Sequence, residues 1–127
     1  MDRYKIKGKI MKKYMIYAKT NTDYAAGMIT KPQNRFDPAS KLASQFNSSK
    51  PIEFLFTNGD HFNFITIFTC KDDESVSAMT QVMLASGQWE SVNWSRAYEA
   101  EEMKAIFEHA KKGMHSYVTT MQAAETS

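Results

Sequence analysis

A single cysteine, Cys70, is all the thiol chemistry this chain possesses. One thiol excludes an internal disulfide framework and a cysteine metal cluster. At the end of an apolar run it is expected to be a small buried hydrophobe rather than a reactive group. Long apolar runs are missing as well. Nothing approaches the ~18 residues a membrane-spanning helix needs, so no membrane partner is expected. The basic start lacks a continuous apolar stretch, which predicts no secretory signal there and a reduced, cytoplasmic setting. Neither an HExxH pattern nor a paired-histidine spacing occurs, so no metal and no cofactor are expected. A phosphate loop, internal repeats and low-complexity tracts are also lacking.

Charge of one sign is scarce. The chain carries +2 in total, and Asp2, Arg3, Lys5, Lys7 and Lys9 give residues 1–11 a net +3. The remaining residues therefore sum to −1. A near-neutral body offers little to phosphates, which supply most nonspecific nucleic-acid affinity, so no nucleic-acid partner is expected. What is present is ordinary for a folded domain: 127 residues, 43% hydrophobic and 24% charged. That length suits one domain.

Pro51 to Cys70 is the most telling stretch. Asn58-Gly59 separates Ile52–Thr57 from His61–Phe68, and that dipeptide predicts a type I′ turn joining two strands. In the second strand Phe62, Phe64 and Phe68 alternate with Ile65 and Ile67, so both faces are apolar and both need cover. The chain's own helices are expected to supply one cover and a second copy the other, a homodimer through the open sheet face.

The rest of the pattern fits around this hairpin. Residues 1–11 read either as a basic leader or as an added edge strand. Tyr14–Thr20 is expected as the first strand, ended by Asn21-Thr22-Asp23. A short helix over 23–30 stops before Pro32, and Asp37-Pro38 restarts one, with Asp37 as cap and Pro38 in the first helical position. Acidic residues 72–74 open a helix carrying Val76, Met79, Val82 and Met83, closed at Gly87. Trp89–Tyr98 is a fourth strand. From Ala100 a last helix places Met103, Phe107, Ala110 and Met114 on one stripe. The expected fold is α+β: a βαββαβ, ferredoxin-like domain over 12–121 with a four-stranded antiparallel sheet, an extra C-terminal helix and a frayed tail at 122–127.

The stretch from Asp37 to Phe107 resembles the GYD-domain family, small bacterial proteins of the dimeric α/β-barrel superfamily. The resemblance is carried by Phe54-Leu55-Phe56-Thr57-Asn58-Gly59, Asp72-Asp73-Glu74, Ala85-Ser86-Gly87, Ser95-Arg96-Ala97-Tyr98 and Glu101-Glu102-Met103. The region that names the family reads Gly59-Asp60-His61 here, keeping the glycine with other residues in the next two places. The resemblance implies fold and dimer but lends no reaction. The wider superfamily holds cofactor-free monooxygenases, isomerases, haem-handling enzymes and ligand-sensing domains, and fold does not choose among them.

Candidate chemistry is sparse. His61 sits at a strand entrance and titrates near neutrality, which suits an acid or base, although a turn-proximal surface role is the commoner one. Asn63 interrupts an apolar strand. Trp94 and Arg96 share one face of the fourth strand, and Tyr17 lies on the strand beside it. Convergence of these groups in an apolar pocket would orient a ligand, with His61 as proton acceptor in a cofactor-independent oxidation or isomerisation. The bland alternative pairs Arg96 with an acidic neighbour such as Glu53. Nine methionines and eight phenylalanines leave room for a hidden apolar cavity, favouring a fatty-acyl-like or aromatic guest between helices and sheet. With no nucleophile, metal set or phosphate loop, ligand binding or assembly without catalysis is the favoured function. A remote alternative, RNA binding, rests on the shared βαββαβ order and a faint echo of an aromatic RNA-binding strand at Phe62–Thr66. That strand lacks the basic Lys/Arg-Gly start.

Overall fold

The computed structural model describes residues 5–6 and 9–126. They fall into two units, Met1–Ala97 and Tyr98–Ser127. In the basic segment β1 (Lys5–Ile6) and β2 (Lys9–Ile10) pair antiparallel with each other as a separate two-stranded sheet. The remainder of the segment expected as leader or edge strand, residues 1–4 and 7–8, lies outside the described residues.

The first unit is built on β3 (Lys12–Thr20), whose alternation buries Tyr14, Ile16 and Ala18 and leaves Lys13, Met15 and Tyr17 on the opposite face. Asn21 then caps α1 (Thr22–Thr30), its side-chain oxygen accepting from the Tyr24 amide at 3.2 Å. α2 (Phe36–Ser44) starts earlier than Asp37-Pro38 predicts. Asn34 takes the capping role from outside, accepting from the Phe36 amide at 3.0 Å. Pro38 sits within the first turn, where amides lack intrahelical partners and its missing N–H costs nothing. Of the expected stripe, Ala43 is buried and Leu42 and Phe46 are half-buried.

β4 (Glu53–Phe56) and β5 (Phe64–Cys70) pair antiparallel, but the connection between them differs from the predicted two-residue turn. It runs from Thr57 to Asn63, and neither Asn58 nor Gly59 has positive φ, which a type I′ turn requires. Backbone and side-chain bonds close the loop instead. The Thr57 amide donates to the Asn63 carbonyl at 2.8 Å, and the Thr57 hydroxyl accepts from the Gly59 amide at 3.3 Å. Phe62 consequently lies in the loop, outside the strand.

α3 (Asp73–Ala85) is capped by Asp72, which accepts from the Ser75 amide at 2.9 Å. It buries Val76, Met79 and Thr80, spaced three and four apart, and packs on β5 and β6. Gly87, with φ of +77°, turns the chain out of the helix as no side-chain-bearing residue does readily. β6 (Trp89–Arg96) completes a four-stranded sheet in the order β4-β5-β3-β6, every neighbouring pair antiparallel. The unit is thus an open antiparallel α+β sheet with helices on one face.

Cross-strand partners point the same way. The helix-facing side carries Phe54, Phe56, Phe64, Thr66, Phe68, Tyr14, Ile16, Val92 and Trp94, and the core lies there. Across the open side Leu55 opposes Ile65, Ile65 opposes Tyr17, and Ile67 opposes Met15. The β6 part of that side is polar, with Ser91, Asn93 and Ser95.

The second unit holds α4 (Ala100–Lys111) and α5 (Thr120–Thr126). A reciprocal pair of side-chain to backbone bonds between Glu99 and Glu102 opens α4. The predicted long helix ends at Lys111 and a turn at 112–116 follows around Gly113; of the stretch expected to fray after Gln122, residues 123–126 are helical. Phe107 and Met114, expected to pack inward, are 67% and 71% exposed. Among the described residues no helix is long and apolar enough to cross a membrane.

Candidate functional site

The first unit contains a cavity of about 210 Å³ between the sheet and helices α1 to α3. Its floor is Ile16 of β3 with Phe64, Thr66 and Phe68 of β5, and its walls are Pro38, Ala39 and Leu42 of α2 and Met79 and Met83 of α3. At one end the rings gather. Trp89 lies 5.3 Å from Phe64 and 5.6 Å from Tyr24, centroid to centroid, and Phe56 lies 5.0 Å from Phe64 and 6.2 Å from Tyr24. Phe54 adds an edge-to-face contact with Phe64 at 5.0 Å.

Local sequence explains why these rings meet. Asn21 caps α1 and also ties it to the α3–β6 turn, its amide donating to the Gln88 carbonyl at 3.1 Å and its side-chain nitrogen to the Gly87 carbonyl at 2.6 Å. That junction sets Tyr24 beside Trp89. The alternation of β4 turns Phe54 and Phe56 toward the same space.

Polar groups at the cavity are few. Thr66 donates to the Glu53 carbonyl at 2.8 Å, and Ser49 accepts from the Thr69 amide at 2.9 Å, so both serve the sheet edge. Arg35 lines the same space and donates to Gln33 at 2.9 Å. Burial raises the Tyr24 phenol above its ordinary pKa, and the nearby Arg35 charge pulls it partly back.

The residues singled out from sequence do not come together. Trp94 and Arg96 lie on the helix-facing side around Tyr14: the Trp94 ring meets the Tyr14 ring at 5.9 Å, and the Arg96 guanidinium sits 5.4 Å over it. Arg96 also donates to the Lys13 carbonyl at 3.2 Å. Glu53, its suggested partner, stands on the far edge strand and the opposite face. Tyr17 is on the open face, edge-on to Phe62 at 6.0 Å. Asn63 is bonded to Thr20. His61 is exposed in the Thr57–Asn63 loop. None of these lines the cavity.

Two buried groups complete the picture. The Tyr14 hydroxyl, fully enclosed, donates to Asp73 at 2.5 Å; burial first and this carboxylate second push its pKa well above the ordinary value. Cys70 is enclosed too, its sulfur 3.5 Å from the Phe46 carbonyl, and burial raises its pKa. Such a thiol is inert. Among the described residues no group of three or more His, Cys, Asp or Glu is placed to hold a metal ion.

Sequence reasoning passed over Tyr24, Arg35 and Trp89. A signal existed for the aromatic pair: Tyr24 falls three residues after a good capping asparagine, and Trp89 opens a strand right after a helix-ending glycine. Arg35 had none. Compared with models of known protein families the chain matches none, and no curated protein matches it either.

Proposed function

We propose that this chain is a ferredoxin-like subunit of the dimeric α/β-barrel kind, akin to the GYD-domain family, that binds a small apolar or amphipathic molecule between its helices and sheet. The carrying observation is the 210 Å³ cavity and its aromatic end. Size narrows the guest. An engineered apolar cavity of about 150 Å³ accepts benzene, and drug-sized ligands occupy about 300–1,000 Å³. A single ring or a short aliphatic chain suits the space, and a long fatty-acyl chain does not. Binding without catalysis is favoured because the walls are mostly apolar, the Thr66 and Ser49 hydroxyls are engaged at the sheet edge, and among the described residues no His, Cys, Asp or Glu joins the lining.

The strand order β4-β5-β3-β6, with helices on one face, supports the ferredoxin-like layout. Met15, Tyr17, Leu55, Ile65 and Ile67 on the other face support a second copy as its cover.

Native mass spectrometry of freshly purified protein, followed by calorimetric titration with toluene and indole, tests the cavity. Binding of a one-ring compound, abolished by Ala39→Phe with the circular dichroism unchanged, is the expected result. Failure of every one-ring compound to bind would overturn the proposal.

A further inference from the structure

The guest's head group is written in the charge of the cavity. Arg35 is the only charged residue on its lining among the described residues, and no Asp or Glu joins it. Arg35 is half-buried; its guanidinium donates to the neutral Gln33 side chain in an exposed bond, and its charge acts on the Tyr24 phenol. Among the described residues it forms no ion pair. A guanidinium beside an apolar space offers a carboxylate two parallel hydrogen bonds. Gln88 lines the same cavity, and its side-chain amide, without a hydrogen-bond partner among the described residues, adds a second donor.

The ring cluster by itself would also suit a cation, since aromatic cages receive quaternary ammonium groups. Arg35 decides against this. A positive guest among Tyr24, Phe56, Phe64 and Trp89 would face a like charge with no carboxylate to offset it.

We infer that the ligand is a small aromatic monocarboxylate, its ring among Phe56, Phe64 and Trp89 and its carboxylate on Arg35. This rests on the cavity being a binding site, and the test separates the two. Three probes of nearly equal size are titrated calorimetrically: phenylacetate, phenylacetamide and 2-phenylethylammonium. Phenylacetate is expected to bind roughly tenfold or more tightly than the amide, the difference one charge-assisted contact supplies. The ammonium compound should bind weakest. Arg35→Gln should remove most of the preference for phenylacetate over the amide, and Arg35→Lys should keep part of it. Amide binding equal to acid binding, a preference that survives Arg35→Gln, or tightest binding of the ammonium compound would overturn the anion assignment alone. No binding by any of the three, in protein with normal circular dichroism, would overturn the cavity as a binding site and the anion preference with it.

Discussion

Asn63 and Thr20 hold each other twice: the Asn63 side-chain oxygen accepts from the Thr20 amide at 3.0 Å, and its nitrogen donates to the Thr20 hydroxyl at 2.9 Å. The Asn63 amide adds a third tie, donating to the Ala18 carbonyl at 3.0 Å. A polar residue that interrupts an apolar strand here ends the β4–β5 loop and fastens it to the close of β3. Asn63→Ala should therefore cost about 1–2 kcal/mol of stability, the usual loss when part-buried hydrogen-bonding groups lose their partner. Chemical denaturation measures it, and ring-compound binding at the cavity should be unaffected.

Gly59 is needed for space rather than for an unusual φ. A Cβ built there would stand 2.5 Å from the Phe62 carbonyl oxygen, a backbone atom with little room to retreat. Gly59→Ala should force the loop open and destabilise by about 1–3 kcal/mol, as overpacking does. A denaturation midpoint equal to that of the parent would show that the loop closes differently.

These two residues also show where sequence reading succeeded and stopped. Period-two alternation placed Phe64, Phe68, Ile65 and Ile67 on the correct faces, because one buried face dictates register. Acidic residues before Val76 and the glycine after Ser86 marked α3 at both ends. The Asn58-Gly59 signal failed because Thr57 and Asn63 close the loop through side-chain and backbone bonds, and these outweigh a dipeptide's preference. The site was hidden for a different reason. Tyr24, Phe56, Phe64 and Trp89 come from four separated segments, and their meeting depends on the Asn21 junction, which no spacing rule encodes. Arg96 and Tyr17 seemed neighbours because their strands are adjacent, yet strand alternation sends them to opposite faces.

Tyr14 predicts an alkaline limit to stability. Its folded pKa is raised above the unfolded value of about 10 by burial and by Asp73, so the folded state keeps a proton the unfolded chain gives up. That contribution is intact below pH 10 and declines as pH climbs beyond it toward the folded pKa. Tyr14→Phe should lose about 1–2 kcal/mol at neutral pH, where the bond to Asp73 is missing. It should also show a shallower fall in stability above pH 10. Parallel curves for the two proteins would contradict the assignment.

Ile65 and Ile67 test the proposed pairing of subunits. Each is half-buried at the centre of the open face, beside Tyr17 and Met15. Ile65→Asp and Ile67→Asp should convert a dimer to monomer in light scattering, weakening association at least roughly a hundredfold. A parent protein that is monomeric at millimolar concentration refutes the pairing, as does an undiminished dimer in both variants.

Of α2, only Ala43 reaches the core, whereas β3 sinks three side chains into it. A helix so lightly moored comes away before the strands do, and its amides should trade hydrogen for deuterium far ahead of theirs. An occupant lodged beneath it would slow that exchange, so the helix serves as a built-in reporter, and candidate molecules can be screened by the protection they confer.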